Sequence, residues 1–333
     1  MNAEPPASEH LEPEELKQLR SLLEPLYAEL GKVMVGQRTV LERMVMGLLV
    51  GGHLLLEGVP GLAKTLAART LASCLHLSFS RIQFTPDLLP ADIVGTQIYN
   101  PRSGEFTVKK GPIFANIVLA DEINRAPAKV QSALLEAMQE GQVTIGDETH
   151  PLPKPFIVLA TQNPIEHEGT YPLAEAQADR FMMKLKLDYP SAEEEQAILH
   201  RMAKVAAPPT SSTVLSETAL HSLSHAMDRL YLDTKVEKYI VDVVQATRRP
   251  GQYGLSLAHL IQFGASPRGT IALALASKAY AFLAGRHFVT PQDVKAVAPD
   301  VLRHRILMSY EAEADDISSD RLIQDILSHL PVP

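Results

Sequence analysis

The sequence predicts an α/β fold with a parallel sheet of five strands, followed by a domain made only of helices. Short apolar runs carry this prediction, and most of them are nearly continuous rather than alternating, which is typical of strands covered on both faces. They occupy residues 54–57, 78–84, 116–120, 156–161 and 181–187. After residue 190 only helical patterns follow. We therefore expect a flexible acidic tail over residues 1–15, an α/β core over 16–190 and a helical domain over 191–333.

The composition is that of a folded protein without a general attraction to polyanions. Of 333 residues, 46% are apolar and 21% are charged, and the length favours two domains. A net charge of -8 argues against nucleic acid and anionic lipid as partners. A single cysteine, Cys74, indicates a reducing compartment, and neither a secretory signal nor an apolar run of membrane-spanning length is present in the sequence. We expect a cytoplasmic protein.

Helix start and stop signals support the helical half. Ser191 can cap a helix that Glu194 completes from three positions on. Ser266 and Thr290 are each followed by a proline, the favoured residue at the first helical position. Gly285 is expected to end the helix that begins at Ser266.

The segment GVPGLAKT, residues 58–65, lies between the first strand and a helical pattern. Loops of this type wrap phosphates with backbone N–H groups, while the lysine neutralises the outer phosphates and the hydroxyl holds Mg²⁺. Ala63 replaces the usual last glycine, which is tolerated if its φ is negative. A plain glycine turn with a solvated lysine is the alternative. The predicted nucleotide-binding residues are Gly58, Val59, Pro60, Gly61, Leu62, Ala63, Lys64, Thr65 and Leu66.

Two adjacent carboxylates end the strand NIVLADE. They are expected at the carboxyl edge of the sheet, where α/β proteins bind ligands. Asp121 and Thr65 can hold Mg²⁺, and Glu122 can orient and deprotonate an attacking water. A strand that ends in two acidic residues is common by chance, but its position downstream of a phosphate loop makes the pair a candidate catalytic site.

Three further polar residues fit phosphoryl transfer. The strand FIVLATQNP delivers Gln162 and Asn163 to the same edge, where an amide can position water, although such residues also cap loops. Arg180 precedes the last strand, and Arg268 lies in the first turn of the helix after Ser266. A single arginine at a helix end is usually a surface charge. Together the two can supply the positive charge that the γ-phosphate requires in the transition state.

The ordered set GVPGLAKT, VLADEINRAP, ATQNP, LAEAQADRF and GASPRGT resembles that of the MoxR-type AAA+ ATPases, from about Val33 to the end of the chain. The resemblance implies an AAA+ P-loop core and an all-helical lid. It also implies the residue roles, which are Walker A for Lys64 and Thr65, Walker B for Asp121 and Glu122, sensor 1 for Asn163, an arginine finger acting on the neighbouring subunit for Arg180, sensor 2 for Arg268, and adenine contact for Gly36 and Gln37.

Two segments read as β-hairpins. VGTQIYNPRSGEFTVKKGPIF has two alternating runs around NPRSG and resembles the family's insert in helix 2. GQVTIGDETHPLPKPF turns at Gly146 and Asp147 and resembles the hairpin before sensor 1. In related rings such hairpins project toward substrate or partner; ordinary surface hairpins are the alternative.

The resemblance implies an ATPase with ATP and Mg²⁺ as cofactors, assembled as a ring that is usually a hexamer. It further implies a chaperone-like action that remodels or matures partner proteins or enzyme complexes, and a partner with a von Willebrand factor A domain. Alternatives are an ATP-dependent assembly switch or scaffold, a nucleic-acid translocase and a magnesium-chelatase-like subunit. The basic segment RHR, residues 303–305, is interpreted as solvated or intersubunit charge.

Overall fold

The computed structural model describes residues 10–102, 104–164, 170–204 and 209–333. These form two compact units. The α/β unit contains residues 25–181 and 185–216, and the helical unit contains residues up to 24, 182–184 and 217–333. The described residues among 191–216, which the sequence assigns to the helical domain, therefore cluster with the α/β unit.

The strands are β1 (Leu54–Glu57), β2 (Phe79–Gln83), β3 (Gly95–Asn100), β4 (Glu105–Lys110), β5 (Ile117–Asp121), β6 (Gln142–Ile145), β7 (Glu148–Pro151), β8 (Ile157–Gln162), β9 (Met183–Lys186), β10 (Ile261–Phe263) and β11 (Leu307–Met308).

The helices are α1 (Pro13–Ser21), α2 (Leu23–Val33), α3 (Arg38–Val50), α4 (Lys64–Cys74), α5 (Pro90–Val94), α6 (Ala128–Glu140), α7 (Glu175–Ala178), α8 (Ala192–Met202), α9 (Glu217–Asp228), α10 (Thr234–Arg248), α11 (Pro267–Leu283), α12 (Pro291–Leu302), α13 (Tyr310–Ala314) and α14 (Ser319–His329). No helix in the described part of the chain is long and apolar enough to cross a membrane.

A five-stranded sheet of order β2-β5-β8-β1-β9 forms the centre of the α/β unit. The pairs β2 with β5, β5 with β8, and β8 with β1 are parallel. All five predicted strands are confirmed, and the side chains of β5 from Ile117 to Ala120 are fully buried, as the continuous apolar runs require. Because β1, β5 and β8 are neighbours, the loops after them meet at one edge of the sheet.

Both predicted hairpins are confirmed. Strands β3 and β4 pair antiparallel from Gly95 with Lys110 to Asn100 with Glu105. Strands β6 and β7 pair around a two-residue turn in which Gly146 has a φ of 63°. The two hairpins also touch: a Cβ at Gly146 would lie 2.2 Å from the Gln97 side chain of β3.

In the helical unit, two helices begin directly after the N-cap residues that the sequence predicts. Ser266 Oγ accepts a hydrogen bond from the Arg268 N–H at 3.1 Å, and the Thr290 N–H donates to Asp293. Gly285, with a φ of 79°, follows the end of α11. A short antiparallel pair, β10 with β11, is an addition to the expected helices. Its apolar stretches are too short to show a period in the sequence.

Two expectations about charged segments change with the structure. Residues 1–9 of the predicted tail lie outside the described residues, but Leu11 is buried and Glu15 pairs with Arg229. The interpretation of residues 303–305 as solvated or intersubunit charge is wrong for both arginines. Arg303 is hydrogen-bonded to Asp300 and Asp320, and Arg305, which is 8% exposed, donates to the carbonyl of Met182 at 3.0 Å.

Candidate nucleotide-binding site

The phosphate loop connects β1 to α4, and its backbone explains its glycines. A Cβ at Gly58 would lie 2.9 Å from Leu187, and Gly61 has a φ of 91°. Ala63 has a φ of 56°, so the condition under which alanine is tolerated without strain is not met. The last residue before the helix adopts the left-handed conformation that glycine would take without strain, at a cost of roughly 1–2 kcal/mol for an L-residue.

A cavity of about 450 Å³ opens at the carboxyl edge of the sheet. It gathers residues from the phosphate loop and from the ends of three neighbouring strands, β2, β5 and β8. Its lining residues are Pro60, Gly61, Leu62, Ala63, Lys64, Thr65, Leu66, Arg81, Gln83, Asp121, Glu122, Thr161 and Asn163. The structure therefore brings the predicted lysine, hydroxyl, carboxylates and amide together, while Gln162 is not among the lining residues.

Lys64 is poised at the start of α4. Its Nζ donates to the carbonyl of Gly58 at 2.6 Å, across the loop. Burial lowers the pKa of Lys64, and the negative charges of Asp121, Glu122 and Glu57 oppose that shift. An arriving polyphosphate would act in the same direction as these carboxylates and favour the charged ammonium.

Asp121 is hydrogen-bonded through both carboxylate oxygens. Thr161 Oγ1 donates to Asp121 Oδ1 at 2.6 Å. Arg81 donates to Asp121 Oδ2 from Nε at 3.0 Å and from Nη2 at 2.6 Å. The register explains the contact, because Arg81 lies on β2, which pairs with β5 alongside Asp121.

Glu122 follows β5 in a left-handed conformation, with a φ of 57°. Its N–H donates to Thr161 Oγ1 at 2.8 Å, so one hydroxyl serves both carboxylate residues. Its Oε2 accepts hydrogen bonds from Gln83 Nε2 at 2.8 Å and from Arg125 Nη1 at 3.1 Å. Strained backbone at such a position is typical of functional sites.

The donor set fits a magnesium ion. The Thr65 hydroxyl and the Asp121 carboxylate line the same cavity, and oxygen atoms are the ligands that Mg²⁺ prefers, with the remaining positions filled by water and phosphate. Arg81 competes for one of the Asp121 oxygens.

A smaller cavity of about 150 Å³ shares the lining residues Gly61, Leu62, Ala63 and Leu66 with the larger one. Gln37 is one of its lining residues, and its Nε2 donates to the carbonyl of Asp188 at 3.0 Å. Gly36 is not in the lining but precedes Gln37, and both have a positive φ, 66° and 54°. Apart from Gln37, the side chains that line this cavity are apolar. Apolar walls with few polar groups are typical of sites that bind a flat heterocyclic group.

The two predicted arginines lie elsewhere. Arg180 follows α7 in the α/β unit and is not in the lining of the 450 Å³ cavity. Arg268 belongs to the helical unit, in the first turn of α11.

Sequence reasoning missed Arg81, Gln83 and Thr161. Arg81 and Gln83 are two residues apart on β2 and therefore point to the same face of the strand, so a polar pair at this spacing near a strand end was the available signal. Thr161 is 1% exposed and reads in the sequence as an ordinary strand residue.

A parallel sheet that brings a phosphate loop, two carboxylates and an amide to one cavity defines a P-loop nucleotide-binding protein. Comparison with known proteins narrows this class. Residues 53–183 match the family "ATPase family associated with various cellular activities (AAA)", and residues 257–326 match "AAA lid domain". The chain belongs to the MoxR-type AAA+ ATPase family.

The relatives match over almost the whole chain. Chaperone MoxR1 of Mycobacterium tuberculosis is 51% identical over 93% of this chain and 82% of its own length. Protein YeaC of Bacillus subtilis is 44% identical over 95% of this chain and 96% of its own length. A solved structure from Cytophaga hutchinsonii, described as a candidate ATPase, has a TM-score of 0.91 at 50% identity and covers 96% of this chain and 97% of its own.

Proposed function

We propose that this protein hydrolyses Mg·ATP in the 450 Å³ cavity and, as a ring, remodels or matures partner proteins. The observation that carries the proposal is the common lining of that cavity: Lys64, Thr65, Asp121, Glu122 and Asn163 come from separate segments and meet in one place. This is the complete set of groups that phosphoryl transfer to water requires within one subunit.

The roles follow from chemistry and position. The N–H groups of the loop and the Lys64 ammonium bind the β- and γ-phosphates. Thr65 and Asp121 hold Mg²⁺, which neutralises developing charge on the phosphate oxygens when bound. Glu122 orients the attacking water and takes its proton, and the Asn163 amide holds that water in line.

Glu122 must be released before it can act. Its Oε2 accepts hydrogen bonds from Gln83 and Arg125, so this oxygen already has two partners before a water molecule arrives. We infer that nucleotide and water compete with these partners, so that turnover is slow until the site is completed.

Completion between subunits is supported by the position of Arg180. It does not line the cavity of its own chain, and its Nε is buried without a hydrogen-bond partner among the described residues. An arginine that reaches a neighbouring subunit's γ-phosphate would raise the rate of ATP hydrolysis by a factor of about 10³–10⁵.

Protein remodelling is supported by relatives and by an exposed surface. The relative MoxR1 is named a chaperone. The hairpin of β3 and β4 exposes Ile98, Tyr99 and Phe106, of which Phe106 is 65% exposed. Such apolar groups at the end of a hairpin suit contact with a protein substrate or with a von Willebrand factor A domain partner.

The first test is the specific ATPase activity as a function of protein concentration. Activity should rise with concentration, and Lys64→Ala and Glu122→Gln should each lower it by about 10² or more. Arg180→Ala, itself inactive, should inhibit wild type when the two are mixed. Normal hydrolysis by Lys64→Ala or Glu122→Gln would overturn the ATPase assignment, and a harmless Arg180→Ala would overturn the shared site.

Two outcomes would redirect the function. If the Glu122→Gln ring still activates a partner, the protein is an assembly switch rather than a motor. If DNA stimulates turnover and binding weakens steeply with salt, it is a nucleic-acid translocase.

A further inference from the structure

The 150 Å³ cavity is built from two chain segments far apart in sequence. One wall is the end of α2 with the residues after it, Val33 to Val35, and the other is formed by Pro190 and by Ile198 and Met202 of α8. Leu62 of the phosphate loop and Leu66 of α4 also line the cavity. The base of a nucleotide that enters this cavity therefore contacts both walls only if the walls keep their spacing.

Arg201 of α8 ties the first wall to the second. Its Nη1 donates to the carbonyls of Gly31 at 2.8 Å, Lys32 at 2.9 Å and Met34 at 3.0 Å. These carbonyls lie at the end of α2, where helix carbonyls have no partner within the helix. A guanidinium there both satisfies them and meets the negative end of the helix dipole.

Two more contacts join the same segments. The Glu194 carboxylate lies against Gly36, where a Cβ would meet its Oε1 at 2.3 Å, and it is held by the Ser191 N–H at 2.9 Å. Gln37 reaches the Asp188 carbonyl. Arg201 differs from these because it donates to three carbonyls of the opposite wall and because it precedes Met202, a lining residue, on α8.

We propose that Arg201 is a positioning residue for the base of the nucleotide: it sets the spacing of the walls that hold the ring and does not touch the phosphates. The proposal rests on the proposed ATPase function. It follows that loss of Arg201 weakens binding of nucleotides through the base and leaves binding of the phosphate chain unchanged.

The test compares two probes on the purified full chain by calorimetry: Mg·ATP, and magnesium tripolyphosphate, which lacks base and ribose. Arg201→Ala should raise the Kd for ATP by about tenfold and leave that for tripolyphosphate within about twofold, because hydrogen bonds to a charged group are lost only at the base wall. Arg201→Lys keeps the positive charge but lacks the several N–H donors of a guanidinium. Its Kd for ATP should lie between those of wild type and Arg201→Ala. His200→Ala, exposed on the same helix, is the matched control.

A merely structural role would move both probes equally, so a parallel rise in both Kd values overturns the proposal, as does an unchanged Kd for ATP. If Arg201→Ala does not fold, Arg201→Lys carries the test and should show the same split between the two probes at reduced size. Failure of the ATPase function is separate: wild type would then bind no Mg·ATP. If wild type binds and hydrolyses ATP, and Arg201→Ala binds ATP as tightly as wild type does, only the inference about Arg201 is overturned.

Discussion

Arg81 holds the carboxylate of Asp121 through two hydrogen bonds to one oxygen, from Nε at 3.0 Å and from Nη2 at 2.6 Å. Asp121 is the residue that we propose to hold Mg²⁺, so the guanidinium and the metal compete for the same atom. The Asp121 carboxylate is already charge-compensated by Arg81, so cation binding would be an exchange of partners.

Removal of this competitor should strengthen metal binding. In Arg81→Ala we expect the Mg²⁺ concentration for half-maximal ATPase activity to fall by about three- to tenfold, since a nearby positive charge is removed. Arg102→Ala, an exposed arginine on the β3–β4 hairpin, is the control and should leave the Mg²⁺ dependence unchanged. A higher Mg²⁺ requirement in Arg81→Ala would mean that Arg81 binds nucleotide instead.

The Thr161 hydroxyl connects both carboxylate residues, as donor to Asp121 and as acceptor from the Glu122 N–H. Thr161→Val keeps the shape and leaves that N–H without its acceptor, so the free energy of unfolding should fall by about 1–3 kcal/mol and ATPase activity should fall with it. Thr161→Ser, which keeps the hydroxyl, should retain most of the activity. Equal activities in the Val and Ser variants would rule out a role for the hydroxyl. Denaturant unfolding and steady-state ATPase assays measure both effects.

Ala63 carries backbone strain that glycine would relieve. Ala63→Gly should raise the free energy of unfolding by about 0.5–1 kcal/mol, because the gain from the relieved left-handed conformation exceeds the entropy lost with glycine. Nucleotide affinity should persist. Ala133→Gly, inside α6, is the matched control and should lower stability by about 1 kcal/mol. The same sign in both variants would show that the φ of Ala63 is not the cause.

The environment of His53 should make the free energy of unfolding depend on pH. Its Nδ1 accepts from the Val158 N–H at 3.0 Å, so its Nε2 carries the proton donated to the Met138 carbonyl at 3.1 Å. Burial lowers the pKa of His53 from 6.5 to about 4. The unfolded chain therefore binds a proton below pH 6.5 that the folded chain does not, and stability falls as pH falls from 6.5 toward 4.

The loss over that range should be about 3 kcal/mol for this group alone. His53→Gln can donate and accept in the same places without titrating, so it should remove this part of the pH dependence. His200→Gln, at an exposed histidine, should leave it in place. Chemical unfolding at several pH values makes the comparison, and parallel curves for wild type and His53→Gln would contradict the prediction.

The sequence was most informative where local pattern and topology act together. Continuous apolar runs mark buried parallel strands, and a residue that follows such a strand must lie at the ligand-binding edge, which is why Lys64, Asp121 and Asn163 could be placed from sequence. Arg201 could not be found this way, because its partners are carbonyls on a helix far away in the chain. The burial of Arg305 likewise depends on tertiary contacts that no local pattern encodes.

Ala63 illustrates a different limit. An alanine in the sequence does not specify its φ, and in the turn into α4 this residue has a left-handed one. The geometry of the turn, rather than the conformational preference of alanine, determines this φ.

The contact between Gly146 and Gln97 has a mechanical consequence. Two hairpins that arise from different parts of the chain meet where the end of the Gln97 side chain lies against the Gly146 backbone. A force applied to the exposed hairpin would therefore reach the other, which lies between α6 and β8, the strand that leads to Asn163.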